Sequence, residues 1–185
     1  GSESWRRLLR GSASRPVFEE ATAIAVDPDG DVVVGGSLGN TLSGETGVLL
    51  VAKLDGRDGT EQWRFSLTEL FRADGLAVDA RGDVVAAGFM SGAPLFPTAI
   101  RPAAVAVVKL GGETGTLLWR RDLDVAWNTE SIAVDAAGDV FLAVRTSEPP
   151  NTDFGVAKLA GSTGALIWLA RESASDGTWE EALRV

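Results

Sequence analysis

VAKLDGRDGTEQWRFSL, at residues 51–67, decides how the rest of the chain is read. The same phrase returns as VVKLGGETGTLLWRRDL at 107–123 and as VAKLAGSTGALIWLA at 156–170. A second phrase precedes each copy: AIAVDPDGDVVVGG at 23–36, GLAVDARGDVVAAG at 75–88 and SIAVDAAGDVFLAV at 131–144. Val26, Val78 and Val134 are therefore equivalent, about fifty residues apart, and ALRV at 182–185 opens a further copy at Val185. Self-similarity at such a period is the signature of a repeat architecture.

Each unit resolves into four short strands. In the first, TAIAV alternates, with Ile24 and Val26 on one face and the small Ala23 and Ala25 on the other. The turn DPDGD leads into VVVGG, an apolar run suited to a strand buried on both faces, and VLLVAKL and EQWRFSL then flank the Gly-containing hairpin GRDG. Four antiparallel strands repeated head to tail are what a β-propeller blade requires, and so small a sheet must stack on its neighbours to bury both faces. The expected fold is all-β: an incomplete ring of about three and a half blades in one region, 1–185. An outer strand of a preceding blade falls at 1–12, blades at 18–69, 70–125 and 126–174, and the first strand of a following blade at 175–185.

Trp5, Trp63, Trp119 and Trp168 share one register, and large flat rings at equivalent positions are suited to wedge between one blade and the next. Gly59, Gly115 and Gly164, four residues before the last three, are expected to supply the positive φ of a tight turn. Lys53, Lys109 and Lys158 recur beside them, either on a solvated strand face or reaching a neighbouring carboxylate.

The halves AVDPDGDVVVGGS and VAKLDGRDGTEQWRF together resemble the bacterial seven-bladed-propeller (SBBP) repeats. The K-L-x-x-x-x-G-x-x-x-W half is similar to the tryptophan-docking motif of quinoprotein propellers. The resemblance implies a propeller and an extracytoplasmic or secreted location. It brings no cofactor, because only the structural repeat matches and no quinone pocket does. Known rings of this kind use roughly four to eight blades. Three and a fraction are not expected to close, so either a longer polypeptide or further copies or partner chains complete the ring.

Composition narrows the chemistry. The chain has 185 residues, 45% of them hydrophobic and 23% charged, as in a globular protein. A net charge of −9 argues against nucleic acid and anionic lipid as partners. No apolar run reaches the roughly 18–20 residues that span a bilayer, so membrane insertion is not expected. Absence of Cys, His and Tyr leaves Asp, Glu, Lys, Ser or Thr for any catalysis. No nucleophile–base pair or phosphate loop can be assembled from them, and no catalytic residue is assigned.

Three features remain as candidate sites. Asp27, Asp29 and Asp31 alternate as in a calcium loop, although the equivalent turns keep only the outer pair, which hairpin capping explains. An aromatic precedes each first strand, at Phe18, Phe71, Trp127 and Trp179, with acids following at Glu19, Glu20, Asp74, Glu130, Glu180 and Glu181. These either plug gaps between blades or present a rim to a ligand, with sugar stacking on Trp127 or Trp179 as one form. The variable segment 89–105 is apolar, and Phe89, Met90, Leu95, Phe96 and Ile100 either fold back over their blade or form a docking surface. Its counterpart at 145–153, RTSEPPNTD, reads as a solvent loop. The leading expectation is a non-catalytic scaffold contacting protein, through a partner or self-association. A glycan- or small-ligand-binding module is the alternative, and an enzyme with a carboxylate-based site the second.

Overall fold

The computed structural model describes residues 1–9, 18–40, 48–68, 72–89, 105–124, 126–148 and 151–172. The described residues form strands and turns only. The first sheet takes β1 (Phe18–Val26), β2 (Val32–Asn40), β3 (Val48–Leu54) and β4 (Glu61–Leu67) in that order. The second takes β5 (Gly75–Val78), β6 (Val84–Phe89), β7 (Val105–Leu110) and β8 (Leu117–Leu123). The third takes β9 (Ala126–Val134), β10 (Val140–Glu148), β11 (Asn151–Leu159) and β12 (Leu166–Glu172). All pairs are antiparallel. Among the described residues no helix is long and apolar enough to cross a membrane.

Local chemistry sets the strand ends. Each Asp-x-x-Gly-Asp turn is closed by its first Asp, whose Oδ1 accepts the N–H of the last Asp at 2.9–3.0 Å in all three copies. The second hairpin of each sheet carries Gly59, Gly115 and Gly164 at φ of 72°, 67° and 69°, as the sequence predicted. A bulge recurs at the same place in every sheet. Lys53, Lys109 and Lys158 pair with Trp63, Trp119 and Trp168, but the next pairs are Leu54–Glu61, Leu110–Leu117 and Leu159–Leu166. Gln62, Leu118 and Ile167 are the extra residues, which is why apolar Leu118 and Ile167 stand 51% and 52% exposed.

The sheets stack in chain order, with β5 packed between β1 and β9. Val33, Leu49, Val51 and Trp63 of the first sheet meet Val84, Ala86, Val108 and Leu110 of the second. On its other face the second sheet presents Val85, Val105 and Val107 to Ile132, Val140, Leu142 and Leu159 of the third. Period-2 alternation sends successive residues of β6 to opposite neighbours, so a strand buried on both faces reads as continuously apolar. Ile24 and Val26, the counterparts of Leu76/Val78 and Ile132/Val134, lie on the outer face of the first sheet and are 71% and 63% exposed.

Two expectations are corrected. Residues 145–148 and 151–153 are not solvent loop: β10 and β11 run on through them, pairing Arg145 with Phe154 and Glu148 with Asn151. Thr146 there is fully buried and Asp153 nearly so, and the Thr146 hydroxyl donates to the Asp153 carbonyl at 3.4 Å. The polar stretch keeps alternation, and backbone pairing satisfies its amides. Residues 1–9, expected as part of an outer strand at 1–12, are in no strand.

Candidate functional site

In the first and second sheets the recurring Lys and Trp form a bridge to the sheet that follows. As cross-strand partners they share one face. Lys53 Nζ lies 2.6 Å from Asp27 Oδ2 and 3.5 Å from Asp31 Oδ2 of its own sheet, and donates to the Gly112 carbonyl of the second sheet at 3.3 Å. Trp63 Nε1–H donates to the same carbonyl at 2.9 Å. The arrangement repeats one sheet on: Lys109 Nζ lies 2.7 Å from Asp79 Oδ2, and Lys109 and Trp119 both donate to Gly161 O, at 3.3 and 2.9 Å. One carbonyl thereby uses both lone pairs on donors from the preceding sheet.

Glycine is required twice at the receiving turn. A Cβ on Gly115 would stand 2.6 Å from the Trp63 ring, which lies flat on that glycine, and a Cβ on Gly164 would meet Trp119 at the same distance. A Cβ on Gly112 would come within 2.1 Å of the Gly82 carbonyl, where the sheet's two hairpins meet. The hairpins are tied there by Asp83 Oδ1, which accepts the Gly112 N–H at 3.2 Å. Asp31 with Gly56 and Asp139 with Gly161 repeat the tie at 3.1 and 3.0 Å.

Lys53 and Lys109 are 6% and 1% exposed, so the solvated-face alternative fails and the carboxylate alternative holds. A buried ammonium is tolerated because its donors are met by carboxylate and carbonyl oxygens. Burial pushes the Asp27 carboxyl up, but the Lys53 ammonium and the N–H groups of Asp31 and Asp29 outweigh it and hold the group below its usual range. Asp79 behaves alike, with Lys109 and the N–H groups of Arg81 and Asp83 prevailing over burial. Burial pulls Lys53 down, and Asp27 with Asp31 more than offsets this, so the ammonium persists above its usual range.

The third copy is open. Lys158 Nζ keeps its acids, Asp139 at 2.9 Å and Asp135 at 3.6 Å, and sits 4.9 Å above the Phe141 ring. Trp168 meets Phe141 edge-on at 6.1 Å between centroids and is 42% exposed, against 8% for Trp63. No fourth sheet is present among the described residues. At the other end, Trp5 Nε1–H donates to Gly56 O at 3.1 Å and its ring lies on Gly59, so this tryptophan outside the sheets occupies the first sheet's turn.

A cleft of about 500 Å³ opens where the first strands of the three sheets converge, lined by Thr22, Ile24, Asp74, Leu76, Glu130 and Ser131 among others. Both acids have basic neighbours: Arg72 Nε donates to Asp74 Oδ1 at 2.5 Å, and Arg145 lies 3.6 Å from Glu130.

The candidate calcium ligands are differently employed. Asp27 and Asp31 hold Lys53, and Asp29 contributes its N–H to Asp27 Oδ1 at 3.0 Å. Among the described residues no group of three acidic side chains is placed to hold a metal. Phe18, Phe89 and Trp127 lie within β1, β6 and β9. Phe71, Met90, Leu95, Phe96, Ile100, Trp179, Glu180, Glu181 and the strand expected at 182–185 fall outside the described residues. Sequence reasoning missed the acceptor glycines Gly112 and Gly161, although K-L-x-G-x-x-G recurs in every copy with Gly56 as the third member. Comparison of the chain with known protein families and with curated proteins finds no family model and no curated protein that matches it.

Proposed function

We propose that the three sheets are consecutive blades of a β-propeller serving as a non-catalytic scaffold for protein contacts, part of a larger propeller or assembly. The observation that carries this is the repeated bridge: Lys53 with Trp63 and Lys109 with Trp119 seize one backbone carbonyl of the next sheet by the same pair of bonds. A contact that repeats with the same parts implies the same rotation from sheet to sheet, which is how a ring is built. Convergence of the first strands at one cleft agrees with an axis on that side. Resemblance to SBBP-type repeats and to the tryptophan-docking motif points the same way, and it alone suggests a place outside the cytoplasm.

A crystal structure of the chain, or of a longer polypeptide containing it, tests the fold. Equal rotations about a common axis are expected, and a flat stack would refute the ring. The cleft favours a second reading, in which a small polar ligand or glycan binds beside Thr22, Asp74, Glu130 and Ser131. A glycan array, followed by calorimetry on any hit, separates the two. Binding that is lost in Asp74→Ala would displace the scaffold reading, and a blank array would leave it standing.

A further inference from the structure

Among the described residues the stack is bounded by two faces that are complementary halves of its own internal junctions. The third sheet presents Phe141, Lys158 and Trp168, which stand where Val85, Lys109 and Trp119 stand in the buried junction before it. The first sheet presents Ile24 and Val26, the counterparts of Ile132 and Val134, together with a glycine turn at Gly56 and Gly59. We propose that these faces join between copies: the third sheet of one copy docks on the first sheet of another, and Trp168 takes the glycine seat that Trp5 holds in the separate chain. This rests on the blade reading above and names the partner as a second copy of this chain.

Three observations carry the choice. The seat is the same one used inside the chain, since Gly56 O receives the Trp5 indole N–H at 3.1 Å as Gly112 O receives that of Trp63 at 2.9 Å. Trp5 fills it without the second donor: Gly112 O also takes Lys53, whereas Trp168 would arrive at Gly56 O with Lys158 beside it. The segment that carries Trp5 covers the first sheet poorly. It leaves a groove of about 330 Å³ between residues 5–9 and the sheet, floored by Ile24, Val32, Val34 and Leu38. Sheet count adds to these. Two copies bring six described sheets together, inside the roughly four to eight that propeller rings use, so a head-to-tail contact made twice is able to close rather than run on as a filament.

Trp5 and Trp168 are then rivals for one site, and their removal acts in opposite directions. Sedimentation velocity on the full chain over a range of concentrations reads this, with circular dichroism confirming that each variant is folded. The chain is expected to form a discrete, concentration-dependent dimer. Trp168→Ala weakens it roughly 30-fold, the change that loss of a hot-spot tryptophan brings. Lys158→Met, which leaves every apolar contact in place, also weakens it, because docking would bury its aspartates without their ammonium, and Trp5→Ala tightens it. Dimerisation unchanged in Trp168→Ala, or weakened in Trp5→Ala, overturns the proposal. So does a monomer at every concentration in all variants. Trp63→Ala, measured alongside, separates that failure from failure of the blade reading. A lowered unfolding midpoint leaves the blades standing with a different sheet on the open face, and an unchanged midpoint removes both.

Discussion

Lys109→Met, set beside Lys158→Met, isolates what a following sheet does to a charge. The two lysines occupy the same position of the same repeat and each faces two aspartates. The Lys109 side chain and its partner Asp79 are each 2% exposed, whereas Lys158 is 21% and Asp139 26% exposed. Replacing Lys109 removes the buried ammonium at 2.7 Å from Asp79, which retains N–H donors from Arg81 at 2.8 Å and Asp83 at 3.0 Å and only the exposed Arg81 guanidinium, at 3.7 Å, as a cation. Breaking one side of a buried pair costs about 3–5 kcal/mol. In a chain of this size that lowers the melting midpoint by about 6–20 °C. The Lys158 pair is open to water, and its loss is expected to change stability little. The double variant Lys109→Met with Asp79→Asn recovers most of the loss, because Asn keeps the acceptor for both turn amides and no charge is left behind. Urea unfolding followed by circular dichroism measures the parent chain, these variants and Asp79→Asn alone. Equal costs for the two lysines, or a double variant as damaged as the sum of its parts, would refute this account of the bridge.

Further expectations follow from the same geometry. Gly82→Ala, at φ 84° with open space around the new methyl, costs about 1–2 kcal/mol for the left-handed backbone alone. Gly115→Ala costs more, since the Trp63 ring must also move, and its indole fluorescence is expected to shift red as it leaves the junction. Ile132→Ala removes a side chain buried between sheets and costs about 2–5 kcal/mol. The equivalent Ile24→Ala is expected to stay within about 0.5 kcal/mol by the same denaturation assay. The pH dependence has two edges. Asp27 and Asp79 titrate lower when folded than their usual 3.8, so their stabilisation is present above that pH and lost as pH falls through the folded values. Lys53 titrates higher when folded than its usual 10.5, so its contribution is full below that pH and lost as pH rises beyond it. Denaturation midpoints across pH are expected to fall at both edges, and Lys53→Met reduces the alkaline one, to which Lys158, raised by Asp139, also contributes.

The three sheets were legible because two landmark phrases recur, so each strand assignment in one copy was checked by two others. The left-handed Gly59, Gly115 and Gly164 were equally plain, since a tight hairpin admits few other residues there. Lys53 and Lys109 were harder. Within VAKL and VVKL a lysine between apolar neighbours reads as the outward member of an alternating strand, and outward here means toward another sheet. The signal lay in the co-recurrence of Lys with Asp-x-x-Gly-Asp. Turn capping accounted for both aspartates and concealed that Asp27 and Asp79 each give one oxygen to the turn and the other to the lysine. The third sheet's long hairpin escaped because Glu148-Pro149-Pro150-Asn151 has the composition of a loop, and pairing beyond Val144 depends on alternation that charged residues obscure. The cleft was legible in part: Asp74 and Glu130 stood among the acids that follow the first-strand aromatics, but Thr22 did not, because the three hold one position in three copies with unlike side chains.

The doubly accepting carbonyls of Gly112 and Gly161 have an evolutionary consequence. Every unit offers an oxygen that belongs to the main chain, so no substitution in the receiving unit can delete it. The donors, one lysine and one tryptophan, are likewise common to all copies. Neighbours therefore share one pair of recognition bonds, while different apolar residues fill the rest of each junction. A gene built this way can gain, lose or exchange units by unequal recombination and still encode seams that close. Sequence drift is then free to act on the outward Gln62, Leu118 and Ile167 and on the strand openings at Thr22, Asp74 and Glu130, where the copies already differ.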